Sequence, residues 1–159
     1  MPDFLNSSLG IRMTVDEVVR NIVDFMKVEP ARHYRVTIGT DSELLREKKA
    51  DFVTAIVVHR VGNGGRYFWR RLELGKFHNL RDRIIKEVLI SLEVAEKVLA
   101  ALKQFPLPEF DFEIHADIGE NGPTKVMIQE VVAMIRASNF QVQTKPGSYA
   151  ASNVADRHV

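Results

Sequence analysis

The chain has 159 residues, 45% of them hydrophobic and 27% charged, with a formal net charge of +1. That is the make-up of one ordinary globular domain, and near-neutrality leaves any nucleic-acid affinity to a local basic surface. The lack of cysteine excludes disulfides, thiol catalysis and cysteine-ligated zinc and accords with a reducing, cytoplasmic setting; no apolar run is long enough to span a bilayer, and the first residues, with Asp3 and Asn6 and no basic segment, lack the pattern of a signal peptide.

Residues 1–13 read as an irregular arm. Thr14 opens a helix, with Glu17 three residues on completing a capping box. Val15, Val18, Val19, Ile22, Val23 and Met26 make one apolar stripe, so this helix packs on the domain until Pro30 stops it. Tyr34, Val36 and Ile38 then alternate with polar or small residues, the period of a strand. Gly39 in that strand predicts a close approach to its backbone. The alternation gives way to charge at Asp41. Phe52 to Val61 is a second strand, Gly62-Asn63-Gly64-Gly65 a hairpin turn, and Arg66 to Leu74 a third strand, together an antiparallel meander.

The longest helix is predicted over about Asn79 to Gln104. At ~100° per residue, Asp82, Lys86, Glu93, Glu96 and Lys97 fall on its solvent side. Leu80, Ile84, Val88, Ser91, Ala95, Val98 and Leu102 fall on the other side, and Glu87 falls among them. An acid on the buried side of a helix is costly unless it is paired or metal-bound. Phe110 to Asp117 alternates as a fourth strand that also finishes on an acid. A helix is expected from Pro123 to about Ser138, a fifth strand over Phe140 to Thr144, and a short Ala-rich terminal helix capped by Ser148 and carrying Asn153, Ala155 and Asp156. The later strands alternate with helices, which predicts parallel additions to the meander.

Asp41, Glu87, Asp117 and Asp156 come from different elements. If the first and fourth strands are neighbours, Asp41 and Asp117 converge, and a helix across the sheet brings Glu87 to the same point. Crowded carboxylates raise one another's pKa, and a hard divalent cation relieves the repulsion. Mg²⁺ favours a few carboxylates, with its other positions left to water and phosphate oxygens. Two such ions ~4 Å apart can clamp the attacking and leaving oxygens of a phosphoryl transfer.

The order of elements resembles the ribonuclease H-like fold. Ile38-Gly39-Thr40-Asp41-Ser42 resembles the first-strand motif of that superfamily, and Asn153-Val154-Ala155-Asp156 resembles the Asn-x-Ala-Asp of its last helix. More closely, the chain is similar to the YkuK-like family of bacterial proteins, through Ile38 to Ser42, His115-Ala116-Asp117-Ile118-Gly119, and Lys145-Pro146-Gly147-Ser148 through Ala155-Asp156-Arg157-His158. The resemblance covers roughly residues 33–158. It implies an α/β ribonuclease H-like domain spanning 1–159, with a five-stranded mixed sheet and an extra N-terminal helix. It implies a nuclease that hydrolyses phosphodiester bonds by a two-metal mechanism, with Asp41, Glu87, Asp117 and Asp156 holding Mg²⁺ or Mn²⁺. RNA, an RNA/DNA hybrid or branched DNA is the expected partner. Ser42 stands where that motif has glycine, the fourth strand has His-Ala-Asp-Ile-Gly in place of Thr-Asp-Ser, and there is no basic protrusion to grip a hybrid duplex.

Each acid has a plainer reading. Asp41 or Asp117 can serve a turn, Glu87 can pair with Arg83 or Lys125, and Asp156 can be a solvated acid in a frayed helix. A binding module without turnover is the alternative to the nuclease. His115 shares a strand side with Asp117 and reads first as a packing residue; His158 reads as exposed. Gly119 to Lys125 lacks the spacing of a phosphate loop. Arg66, Arg70, Arg71 and Lys76, with Tyr67 and Trp69 between them, form either a nucleic-acid contact strip or an ordinary outer strand face.

Overall fold

The computed structural model describes residues 4–158. Its strands are β1 (Phe4–Ser7), β2 (Arg12–Thr14), β3 (Tyr34–Leu44), β4 (Ala50–Arg60), β5 (Gly65–Leu74), β6 (Phe110–Ala116) and β7 (Gln141–Gln143). Its α-helices are α1 (Val15–Val28), α2 (Leu80–Leu102) and α3 (Ile128–Ala137). A terminal helix follows, π-wound over Ala150–Ala155 and tightening to a 3₁₀ turn over Asp156–His158. The strands form one mixed sheet in the order β2-β1-β5-β4-β3-β6-β7. The meander β3-β4-β5 is antiparallel and β6 and β7 add in parallel, as expected from their alternation with helices.

The described part of the arm over 1–13 is not irregular. It makes the antiparallel pair β1–β2, which extends the sheet from five strands to seven along the β5 edge. Leu5 and Met13, 3% and 9% exposed and directly paired, turn inward and seat the pair on the sheet. The Thr14 capping box forms as expected, with the Thr14 hydroxyl accepting from the Glu17 N–H. The helix expected from Pro123 begins later. Lys125–Met127 form a single 3₁₀ turn and the α-helix starts at Ile128.

Side-chain alternation along β3 assigns the two faces. Tyr34, Val36, Ile38 and Thr40 face α1 and α2: the Tyr34 ring meets Phe25 edge-on, and the Thr40 hydroxyl bonds Ser91 of α2 at 2.7 Å. Thr37, Gly39 and Asp41 face the terminal helix, where Thr37 donates to Tyr149. The buried side of α2 is as its periodicity predicts, Glu87 included.

Gly39 is where the two layers touch. A Cβ added there would lie 2.4 Å from the Ala151 nitrogen and 2.8 Å from the Ala150 carbonyl carbon. Only glycine allows the helix backbone to rest on the strand, and Ala150, Ala151 and Ala155 are fully buried against the sheet. This close packing fixes the depth at which the terminal helix, and Asp156 at its end, sits over β3.

Candidate functional site

β3 continues past Asp41 to Leu44, paired throughout with β4. The parallel register with β6 aligns Gly39 with His115 and Thr40 with Ala116. One residue beyond that last pair, Asp41 and Asp117 stand at corresponding places on adjacent strands. The Asp41 carboxyl hydrogen-bonds the carboxyls of Asp156 and Asp117. Glu87 approaches from the α2 side, around the end of the strand pair, within reach of the Asp41 and Asp117 charges. All four acids singled out in the sequence are therefore neighbours.

Their environments differ. Asp41 and Glu87 are 8% and 5% exposed, while Asp156 is open to solvent. Burial, then the Asp156 hydrogen bond and the Asp117 charge, push the Asp41 carboxyl up to about 8 from 3.8, against a backbone N–H from Ser42 that favours the ionised form. At neutral pH Asp41 thus holds a proton shared with its acidic neighbours. Glu87 is raised well above the usual carboxylate range, chiefly by burial, with the Asp41 and Asp117 charges adding; the Ser42 hydroxyl and Arg83 oppose the shift.

Ser42, in the position of the motif's glycine, donates its hydroxyl to Glu87. Strand alternation sends the Ser42 side chain to the α2 face while Asp41 points to the other, so two consecutive residues join both layers of the site. Lys125, weighed in the sequence as a partner for Glu87, instead approaches Glu120 at 3.9 Å on the surface. Arg83 acts on Glu87 as a nearby charge.

Asp117 is held from two sides. Ser152 of the terminal helix donates to its Oδ1 at 2.7 Å, and Lys145 Nζ lies 3.1 Å from the same oxygen. Lys145 is placed by its backbone N–H, which donates to the Ile118 carbonyl at 2.7 Å. A Cβ on Gly119 would stand 2.9 Å from the Lys145 Cβ, so that glycine permits the approach.

His115 is 1% exposed. Its Nδ1 accepts the Ala150 N–H at 3.0 Å, which assigns the proton to Nε2 and makes that nitrogen the donor to Glu113 at 2.9 Å. Its ring meets Tyr149 edge-on. The packing role expected for His115 therefore has a definite form: it caps the start of the helix that carries Asp156. Ser148, the expected cap, makes no capping bond and pairs its hydroxyl with Ser152.

The basic strip of β5 divides between the faces. Arg66 lies over Phe25 on the helix side and Arg70 is buried there, whereas Tyr67, Trp69 and Arg71 face the terminal helix. The Trp69 ring is covered by His158, stacked 4.3 Å away with 7° between planes, and Arg71 donates to the His158 carbonyl. His158, expected to be exposed, instead packs on the sheet, because its imidazole can cover a large apolar ring.

Among the described residues no group of three or more His, Asp or Glu side chains is placed so that it could hold a metal ion. Asp117 is engaged by Ser152 and Lys145, Glu87 by Ser42, and Asp41 shares hydrogen bonds with other acids. The donors are nonetheless all carboxylate oxygens, the chemistry that hard divalent cations select. A proton shared between acids also marks a place where a cation would relieve the same repulsion.

The arrangement of a meander followed by parallel strands, with acids on β3, just past β6, on α2 and on the terminal helix, has a counterpart in sequence. Residues 17–159 match the family model described as Ribonuclease H-like, and the chain belongs to that family, a membership that points to a nucleic-acid-related function. It is 32% identical over 157 residues to the Bacillus subtilis (strain 168) protein described as "Uncharacterized protein YkuK", covering 92% of this chain and 91% of that one. No solved structure matches it significantly.

Among the described residues, no helix is long and apolar enough to cross a membrane.

Proposed function

We propose that this protein is a divalent-cation-dependent nuclease that hydrolyses phosphodiester bonds of RNA, an RNA/DNA hybrid or structured DNA. The observation that carries the reading is the contact of the Asp41 carboxyl with those of Asp117 and Asp156, three acids from β3, the end of β6 and the terminal helix. Evolution of a stable fold gives no reason to bury Asp41 against two other acids, since each contact disfavours ionisation. A cation-binding role does.

In this reading Asp41, Asp117, Asp156 and Glu87 hold Mg²⁺ or Mn²⁺. Such ions would supply charge neutralisation at the phosphate and a bound water of lowered pKa, able to lose a proton and attack as hydroxide. The chain's own residues set the frame for that chemistry. To serve as a ligand Asp41 would release its proton to solvent, leaving the carboxylate. Lys145 and Ser152 hold Asp117 in place, Ser42 fixes the Glu87 rotamer, and His115 with Gly39 sets the height of Asp156 above the strand. Asp156, the exposed member, borders the side from which a phosphodiester can approach.

The test is cleavage of labelled RNA, DNA and hybrid duplexes with Mg²⁺, Mn²⁺ or chelator, comparing wild type with Asp41→Asn. Cation-dependent cleavage by wild type and its loss in the variant are expected. Equal cleavage by the two proteins would sink the proposal.

A binding module without turnover is the second reading, motivated by the hydrogen bonds and ion pair that already engage Glu87 and Asp117. It requires tight nucleic-acid binding that persists in chelator, with no substrate cut.

A further inference from the structure

Trp69 is the chain's single tryptophan, and it lies outside the main core. It packs against the small cluster of Val53, Ala55 and Ala155 on the terminal-helix face of the sheet. The His158 imidazole lies flat on its ring, 4.3 Å away with 7° between planes, and the Arg71 guanidinium stands 5.9 Å from the same ring. Tyr67, two residues back on that side of β5, stands beside the imidazole with ring centroids 5.7 Å apart. A flat nitrogen heterocycle stacked on an indole, with a tyrosine and an arginine at hand, is the setting in which proteins hold an unpaired nucleobase.

The imidazole is a removable cover. His158 belongs to a single 3₁₀ turn, Asp156–His158. Its Nε2 is buried and has no hydrogen-bond partner among the described residues. An unsatisfied buried nitrogen offsets part of what the stack contributes. Arg71 donates to the His158 carbonyl and not to its ring, so the turn stays attached when the ring swings aside. A nucleobase offers the same flat contact over a larger ring. The location suits a strand that runs to the acids. Trp69 pairs with Ala55, and Ala55 with Gly39, so the indole is level with a point two residues before Asp41, on the same face of the sheet. Strand spacing and rise put the two about 12 Å apart. The terminal turn spans the gap: Asp156 hydrogen-bonds Asp41 at one end, and His158 covers Trp69 at the other.

We propose that Trp69 is a stacking platform for an unpaired nucleobase of the strand presented to the acids, and that the His158 ring keeps the place until the base displaces it. The platform's position relative to the cut rests on the nuclease reading; the stack itself does not. Only an unpaired base, or one at a strand end, exposes a ring face. The preferred partner is therefore single-stranded nucleic acid or a duplex with unpaired nucleotides, and an uninterrupted duplex is disfavoured. Stacking uses the π-face that every base has, so RNA and DNA strands are both taken. Stacking also explains how a chain of net charge +1 without a basic protrusion can hold a polyanion beside its acids.

The test is made in chelator, so that nothing is cut. Because Trp69 is the only tryptophan, its emission reports the stack directly. Titration of the wild type with oligothymidine should quench that emission, and a strand of the same length with abasic sites should leave it unchanged. Fluorescence polarisation with fluorescein-labelled oligothymidine then compares the variants. Trp69→Ala should bind about tenfold more weakly, with Trp69→Phe recovering part of the loss. His158→Ala removes the competing ring and should bind about threefold more tightly. The abasic strand should bind wild type and variants alike, which also shows that each variant is folded. Unchanged emission at saturating oligothymidine, equal quenching by the abasic strand, or His158→Ala that binds no more tightly would overturn the proposal. So would a wild type that does not bind oligothymidine. Quenching without cation-dependent cleavage would refute the nuclease reading and leave the platform standing; cleavage without quenching would do the reverse.

Discussion

The raised pKa of Asp41 makes a prediction about folding that needs no substrate. The carboxyl stands at about 8 in the folded protein against 3.8 ordinarily, so between those values the native state binds a proton that the unfolded chain releases. A raised folded-state value contributes stability that is complete below pH 3.8 and is lost as pH rises through 8. In chelator, therefore, the wild type loses stability progressively from about pH 4 to pH 8 on account of this group. Asp41→Asn replaces the neutral acid with a neutral amide of the same shape and removes that slope. At about 1.4 kcal/mol per pKa unit the shift bounds the difference at about 6 kcal/mol. Asp156 is open to water, and solvent screening at that side of the cluster reduces the expected difference to about 2 kcal/mol at pH 8.5. Urea unfolding of both proteins at pH 4, 5.5, 7 and 8.5 measures it: the variant should match wild type at pH 4 and exceed it increasingly toward pH 8.5, with unchanged m. Parallel pH profiles, or a wild type that gains on the variant as pH rises, would refute the placement of a buried, proton-sharing Asp41.

If a cation takes the place of that proton, Mg²⁺ or Mn²⁺ at 100 times its Kd should stabilise the wild type at pH 8 by about 2.7 kcal/mol and leave Asp41→Asn unmoved, as read from calorimetric Tm shifts. Gly39→Ala forces a methyl into the backbone of Ala150 and Ala151, so a loss of about 1–3 kcal/mol and faster proteolysis near the C-terminus are expected; wild-type urea midpoints would contradict the close contact. His115→Ala strands the Ala150 N–H and the Glu113 carboxyl and should cost about 2–3 kcal/mol, while His115→Asn, whose amide oxygen can stand in for Nδ1, should recover part of it. Ser42→Gly, which installs the residue of the family motif, leaves buried Glu87 without its hydroxyl donor; in chelator it should lose about 1.5–3 kcal/mol by urea unfolding.

Much of this molecule is legible in the chain because its signals are local. The strand period leading to Asp41, the hairpin glycines, the capping box at Thr14 and the apolar face of α2 each depend on spacing within a few residues, and the structure has them as the sequence predicts, except that β3 runs on past Asp41 to Leu44 in pairing with β4. Glu87 belongs to the same class, since one acid among apolar helix positions announces a buried charge. The β1–β2 pair was not legible, because strands of four and three residues are too short to show a period and gain their burial only from the sheet they join. Neither was the start of α3, where Pro123 promised a helix that the chain delays to Ile128.

The site divides in the same way. Sequence determined which acids are candidates, since their positions at strand ends and on helix faces follow from periodicity. Only the tertiary structure decided that Asp41, Asp117 and Asp156 meet, because the β3–β6 register and the seating of the terminal helix on Gly39 involve residues more than seventy positions apart. The same is true of Ser42 on Glu87 and of Lys145 and Ser152 on Asp117. Hydrogen bonds between distant segments leave no periodic trace in the chain. They exist only once packing has brought the segments within about 3 Å of one another.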